Sequence, residues 1–232
     1  TAGMPGESDE NWRSGDENTL ALQPDSVTIY QMELPFNTTI SGNLLKKTGQ
    51  FDQPIANWST KRRWVQEAFE ALEASGYEIR RAYTAVRDRS TRFVYVDRLW
   101  QGGDMAGLGV ASFGHVNGVH IQNLDTWEAY AAGVERGDIP LSRAYKPTEE
   151  ERMIRELVLQ LKLGSIQPAY FREKYRVDVL RRFREPLDAL AHEGYLQAAN
   201  DDVVALNRQG HLRVDALLKR FFKPEHAGIR YT

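Results

Sequence analysis

The chain has 232 residues, 41% of them hydrophobic, enough for one large domain or two small ones with real cores. Thirty basic against 32 acidic residues give a net charge of −2, which excludes a globally basic nucleic-acid binder though not a local patch. The absence of cysteine excludes a disulfide framework, a thiolate nucleophile and any Cys-ligated zinc or iron–sulfur site within this chain. Mean hydropathy is −0.54. No apolar run approaches the ~18 residues of a membrane-spanning helix, and Thr1 to Glu10 lacks the basic start and apolar core of a signal peptide. A soluble cytoplasmic protein is the expectation.

Thr1 to Glu7 has Gly and Pro spaced like a loop leaving the end of a strand. Ser8 or Asp9 caps a helix through Trp12 to about Leu22, and Gln23-Pro24-Asp25 ends it. Ser26–Leu34 is β-branched and aromatic and reads as a buried strand. Helix then strand is one αβ unit of a parallel sheet. A lone unit cannot cover both faces of a sheet, so this segment reads as the tail of a larger α/β domain. The natural polypeptide is accordingly expected to extend upstream of Thr1, with ordered chain beside Ser26–Leu34. Pro35–Trp58 is a long polar connection, a functional loop over the strand ends.

Ser59/Thr60 start a helix to about Ser75, closed by Gly76. Tyr77–Tyr83 and Arg92–Val96 are short strand candidates. Six of the chain's 18 glycines follow between Leu99 and Asn123. Asp125 caps a short helix to about Arg136, and Gly137–Pro140 is a turn. Thr148 to Glu151 forms a capping box opening a helix with Met153, Ile154, Leu157, Val158 and Leu161 inward. Further helices are expected at Pro168–Tyr175 and Val179–Glu193, strands at Tyr195–Ala198 and Val203–Leu206, and a last helix at Arg208–Phe222. Three helices and then a hairpin is winged-helix order, so residues 147–232 form a small α+β domain distinct from residues 1–146.

Trp100 to His115 is the strongest local signal, because small residues at this density permit close backbone approach to a ligand or to another strand. Asp104 can orient a polar ligand group or serve as a turn residue, and His115 can act as donor or acid/base. On one extended strand His115 and His120 fall on opposite faces, which argues against a two-His metal site. Glu33 stands at the C-terminal end of its strand, where α/β sheets place ligand-contacting residues, or is an exposed carboxylate. His192, His211 and His226 read as solvated. Arg181, Arg182 and Arg184 lie where a DNA reader carries base contacts, yet a solvated arginine face is the favoured reading, so nucleic acid is not the expected partner.

Together these segments resemble the radical S-adenosylmethionine family of oxygen-independent coproporphyrinogen III oxidases and their HemN-like relatives. Ala2-Gly-Met-Pro-Gly-Glu7 with Trp12 is similar to that family's LPGQT segment, which follows a barrel strand. Pro24-Asp25-Ser26 through Tyr30-Gln-Met-Glu-Leu-Pro35 resembles its P-D-h-h-S-h-Y strand, and Trp100-Gln-Gly-Gly-Asp104 through Gly107-Leu-Gly109 to Asn123 its G-D-x-x-G-h-G block. The run from Leu190 to Phe222 is similar to the small HemN C-terminal domain.

The resemblance implies the C-terminal part of a partial (β/α)6 barrel followed by a winged-helix-like domain. It implies S-adenosylmethionine and a [4Fe–4S] cluster as cofactors, with the cluster cysteines in an N-terminal half of the barrel that this sequence lacks. A family member splits S-adenosylmethionine to a 5′-deoxyadenosyl radical that takes hydrogen from the substrate; in the oxidases, a porphyrinogen propionate then loses CO₂. Gln31, Met32, Glu33, Gly107, Gly109 and Phe113 are implied on the cofactor side, and Trp100, Asp104, His115 and Asn123 on the side of a tetrapyrrole substrate. Tyr30-Gln-Met-Glu33 departs from the oxidases' Asn-Tyr-Ala-His type sequence. A haem-binding or haem-transfer protein with His115 or His120 as ligand, a HemN-like methyltransferase and a winged-helix nucleic-acid module remain alternatives.

Overall fold

The structure is a computed structural model that describes residues 1–33 and 55–227. The expected loop Pro35–Trp58 therefore falls largely outside the described residues. Helix α1 spans Asp9–Leu22, with the Ser8 hydroxyl accepting the Asn11 N–H, and ends at Gln23 in the left-handed region. Strand β1 is Ser26–Thr28, α2 is Trp58–Ala74 capped by the Asn57 side chain, β2 is Glu78–Arg81 and β3 is Thr84–Val86. These strands form an antiparallel sheet in the order β1-β3-β2, with Val27 opposite Ala85 and Ile79 on the other side of Ala85.

Helix α3 (Val94–Trp100) stands where Arg92–Val96 was expected to be a strand. A second antiparallel sheet, β4-β5-β6, is built from Phe113–Val116, Val119–Asn123 and Leu141–Tyr145, with α4 (Trp127–Glu135) between the last two. The cap of α4 is Thr126 rather than Asp125.

Helix α5 (Glu149–Leu161) begins at the expected capping box and buries Met153, Ile154, Leu157, Val158 and Leu161. It leads into β7 (Ser165–Ile166), α6 (Pro168–Tyr175), α7 (Val179–Arg182), α8 (Arg184–His192), β8 (Leu196–Ala199) and β9 (Val204–Leu206). The third sheet is antiparallel in the order β7-β9-β8. The single helix expected over Val179–Glu193 breaks at Phe183 because Pro186 has no N–H to return to Arg182. The expected last helix is likewise divided, into α9 (Arg208–His211), α10 (Val214–Leu217) and a 3₁₀ turn over Leu218–Phe221, before a short α11 (Pro224–Ala227).

The parallel sheet expected around Ser26–Leu34 is replaced by these small antiparallel sheets; among the described residues the only parallel pairing is a bridge between Ala2 and Gln31. Nor is the strand buried on both faces. Val27 and Ile29 turn inward while Ser26, Thr28 and Tyr30 are exposed, the period-2 alternation of a strand covered on one side. Its edges carry β3 on one side and the Ala2 bridge on the other.

Two apolar clusters organise the chain. One gathers Ile29, Trp64, Phe69 and Leu72 around a stacked Trp12–Trp64 pair, and the other gathers α5, Phe171, Val179, Leu190 and Leu218. Each borrows from the other segment: Leu212 belongs to the first cluster and Ala82 to the second.

Candidate functional site

The expected cofactor and substrate residues fall on two separate sheets. At the first, the Ala2 N–H donates to the Tyr30 carbonyl (2.7 Å) and the Met32 N–H donates to the Ala2 carbonyl (2.8 Å). Gly3 turns away at φ +98° and gives its N–H to the Glu7 carboxylate. Beneath it lies Lys61, 5% exposed, whose Nζ donates to the Met32 carbonyl at 2.8 Å. A Cβ on Gly3 would stand 2.3 Å from Lys61 Cε, so only glycine satisfies both the backbone angle and the space. Burial pushes the Lys61 ammonium down, against the pull of the Glu33 charge. The Gln31 Nε2 donates to the Leu212 carbonyl (3.0 Å), while its Oε1 is buried without a partner. Glu33 is exposed.

At the second sheet, Trp100 ends α3 and the chain then folds on itself through the glycines. Met105 and His115 exchange two backbone hydrogen bonds (2.7 and 2.8 Å). A Cβ on Gly107 would lie 2.3 Å from the Phe113 carbonyl oxygen, which explains the glycine there. Asn123, 5% exposed, donates its Nδ2 to the Gly107 and Gly109 carbonyls (3.0 and 2.9 Å). The Gly109 N–H donates to the Tyr130 hydroxyl. Asn123 thus shapes the glycine loop with the amide expected to face substrate, and Phe113 projects outward, 58% exposed.

The separation of His115 from His120 expected on one extended strand does not hold. Asn117 (φ +48°) and Gly118 (φ +75°) make a two-residue turn, placing the two histidines directly opposite each other on β4 and β5. Their Nδ1 atoms are 3.2 Å apart. Burial, then the Arg155 charge, holds both rings below the usual histidine range, His120 down to about 4. They form a neutral pair at pH 7. No group of three or more His, Asp or Glu that could hold a metal occurs among the described residues.

His115 and Asp104 line a cleft of about 390 Å³ between this hairpin and α5–α6. Its inner wall carries residues not singled out from sequence: Arg152, Arg155, Glu156 and Lys174. Glu156, 3% exposed, accepts from Lys174 Nζ (2.8 Å), Tyr170 Oη (2.7 Å) and Tyr175 Oη (2.7 Å). A Cβ on Gly102 would fall 2.1 Å from Glu156 Oε1, so the glycine lets the carboxylate in. Asp104 Oδ1 accepts the Asn117 N–H (2.8 Å). One signal for Glu156 was legible: a carboxylate three residues after Met153 and next to Leu157, inside the apolar stripe of α5, must be partnered if buried.

The remaining candidates lie elsewhere. Arg182 pairs with Glu150 (2.6 Å) and Arg184 with Asp188 (3.5 Å). His211 is not solvated as expected; it packs against Gly164 and burial lowers its pKa. His226 contacts Glu151 at 3.0 Å.

No protein-family profile matches the chain. No curated protein sequence matches it either. The fold, in contrast, is shared with a solved structure of the mixed α/β class. That structure, from Escherichia coli, is titled "Coproporphyrinogen III oxidase (HemN) from Escherichia coli is a Radical SAM enzyme"; it superposes with a TM-score of 0.73 at 16% identity over 95% of this chain. The chain spans about half of that structure, 53% of its length. No helix among the described residues is long and apolar enough to cross a membrane.

Proposed function

We propose that this chain is the C-terminal half of a HemN-like radical S-adenosylmethionine protein acting on a tetrapyrrole, of the coproporphyrinogen III oxidase type. The observation that carries this reading is the fold shared with the E. coli enzyme over 95% of the chain. In this reading residues 1–146 are the end of a partial barrel. Residues 147–232 are its C-terminal domain, and the order of α5, β7, helices α6 to α8 and the β8–β9 hairpin supports reading it as winged-helix-like. Gln31, Met32 and Glu33 stand on the S-adenosylmethionine side, where the Gln31 Oε1 is an unpaired buried acceptor of the kind a polar cofactor satisfies. Gly107, Gly109 and Phe113 form a second cofactor-facing segment. Trp100, Asp104, His115 and Asn123 face substrate, Asn123 acting through the loop carbonyls it holds.

The chain has no cysteine, so its residues do not fit a [4Fe–4S] cluster. What it contributes is binding and orientation. The test is an anaerobic assay of the native gene product with S-adenosylmethionine, a reductant and a panel of porphyrinogens and haem, read by mass spectrometry. Formation of 5′-deoxyadenosine with loss of one tetrapyrrole is expected, and the species consumed identifies the substrate. If no tetrapyrrole elicits 5′-deoxyadenosine, the reading is wrong.

A further inference from the structure

The cleft between the β4–β5 hairpin and α5 has an imbalance in how its charges are satisfied. Its buried carboxylate, Glu156, is saturated by Lys174, Tyr170 and Tyr175. Asp104 is held by the Asn117 N–H, and both Asp104 and Glu149, the other carboxylates of the cleft, are exposed and screened by solvent. Arg152 and Arg155 lie three residues apart on α5, line the same cleft and are both partly buried. Neither guanidinium makes a side-chain hydrogen bond or an ion pair among the described residues, whereas most other arginines of the chain are paired.

Two like charges one turn apart on a helix repel. A partly buried cation without a partner is costly to hold. Glu156 attracts Arg155 electrostatically, but burial outweighs that attraction, and no side chain among the described residues bonds to either guanidinium. The pair His115 and His120, next to Arg155, is uncharged at neutral pH and supplies no counter-charge. The backbone keeps the space open: a Cβ on Gly118 would lie 2.8 Å from Arg152 Nη1, so glycine at the turn admits the guanidinium.

We propose that this cleft is an oxyanion-binding site in which Arg152 and Arg155 jointly hold a carboxylate or phosphate group, with His115 as a neutral hydrogen-bonding neighbour. The planar guanidinium fork matches either group in bidentate fashion, and two forks on one helix face suit an anion with two or three free oxygens. The site stands on the charges and geometry of this chain and does not depend on the radical chemistry.

Calorimetric titration of the chain with succinate and, separately, with inorganic phosphate, against sodium chloride of matched ionic strength, tests this. Saturable binding of at least one is expected, weakened tenfold or more in Arg152→Gln and in Arg155→Gln and unchanged in Arg181→Gln, an exposed arginine outside the cleft. Tighter succinate marks a carboxylate ligand, and tighter phosphate a phosphate ester. Thermal melting without added oxyanion separates binding from structure. Arg155→Gln is expected to keep or raise Tm, since it removes a charge whose burial costs more than its attraction to Glu156 returns. No saturable binding of either probe, or unchanged binding in both cleft variants, overturns the proposal. So does a lowered Tm in Arg155→Gln with binding intact. If Arg155→Gln does not fold, Arg152→Gln decides alone.

Discussion

The two apolar clusters are built on different terms. The C-terminal one closes mainly on itself: α5 contributes a continuous stripe, Phe171 and Leu190 are fully buried against it, and Phe183 meets Phe221 edge-on at 5.5 Å. The N-terminal one rests on two helices and the short three-stranded sheet β1-β3-β2, with the Trp12–Trp64 stack at its centre. Trp12 Nε1 donates to the Trp64 carbonyl, and Asp9 receives both Trp64 Nε1 and Arg63. The first arrangement spreads burial over many interchangeable aliphatic contacts; the second concentrates it in a few aromatic and polar ones. The two are also interlocked. Gln31 reaches Leu212, Arg208 pairs with Glu73, and Asp215 receives both Tyr83 and Lys162.

The sharpest way to break this comparison is to hollow each core in turn. Phe171→Ala and Phe69→Ala each remove a side chain at most 1% exposed and should lose about 3–5 kcal/mol. All five tryptophans, at positions 12, 58, 64, 100 and 127, precede residue 147, so their fluorescence reports one region only. The interlock predicts that Phe171→Ala shifts the fluorescence transition in urea as far as it shifts circular dichroism. A fluorescence midpoint that stays in place while the dichroism midpoint falls would show two independent units.

The same contrast decides what was legible from sequence. Helices of the C-terminal region announce themselves: Thr148 with Glu151 is a capping box, and Met153 to Leu161 repeats at helical spacing. The middle of the chain does not. Asn117-Gly118 is a strong hairpin signal, yet read as part of one extended strand it separates two histidines that touch. Leu141–Tyr145 is exposed at every position, so no alternation marks it; backbone pairing to β5 alone makes it a strand. Val94-Tyr-Val has β-branched and aromatic composition but is too short for periodicity to separate helix from strand, and Arg81 pairs with Asp97 on the helix that forms. Neither Lys61 nor Arg155 had a motif to betray it; their placement is tertiary.

The glycine module should fail next most severely. Gly107→Ala drives a Cβ into the Phe113 carbonyl, and Asn123→Ala strips the donors from two loop carbonyls; each should cost about 1–3 kcal/mol. Gly76→Ala is the control. It has a positive φ, which Gly107 does not, and meets nothing within 4 Å, so only backbone strain of about 1–2 kcal/mol applies there. Thermal melting that ranks Gly76→Ala at or above Gly107→Ala would remove close backbone approach as the reason for the glycines.

The smallest expected effects are electrostatic and fall in two pH windows. His120 is held down to about 4 by burial, then by Arg155 and His115. The unfolded chain takes up that proton near pH 6.5 and the folded chain does not, so stability is full above 6.5 and falls as pH drops from 6.5 towards 4. Glu151 is held down to about 2 by the Thr148 backbone, then His226 and Tyr145. Its contribution is full above about 4.5 and is lost as pH falls from there towards 2. His120→Asn should make the upper window shallower, since His115 and His211 also contribute to it, and leave the lower one, while Thr148→Ala should weaken only the lower one. At pH 7 Thr148→Ala should cost about 1 kcal/mol, because the hydroxyl it removes caps the Glu151 N–H. The carboxylate keeps the Thr148 N–H, so the lower slope weakens without vanishing. Denaturation midpoints for the two variants at pH 3, 5 and 7 check the assignment, and a flattened upper window in Thr148→Ala would mean that the hairpin and α5 do not titrate separately.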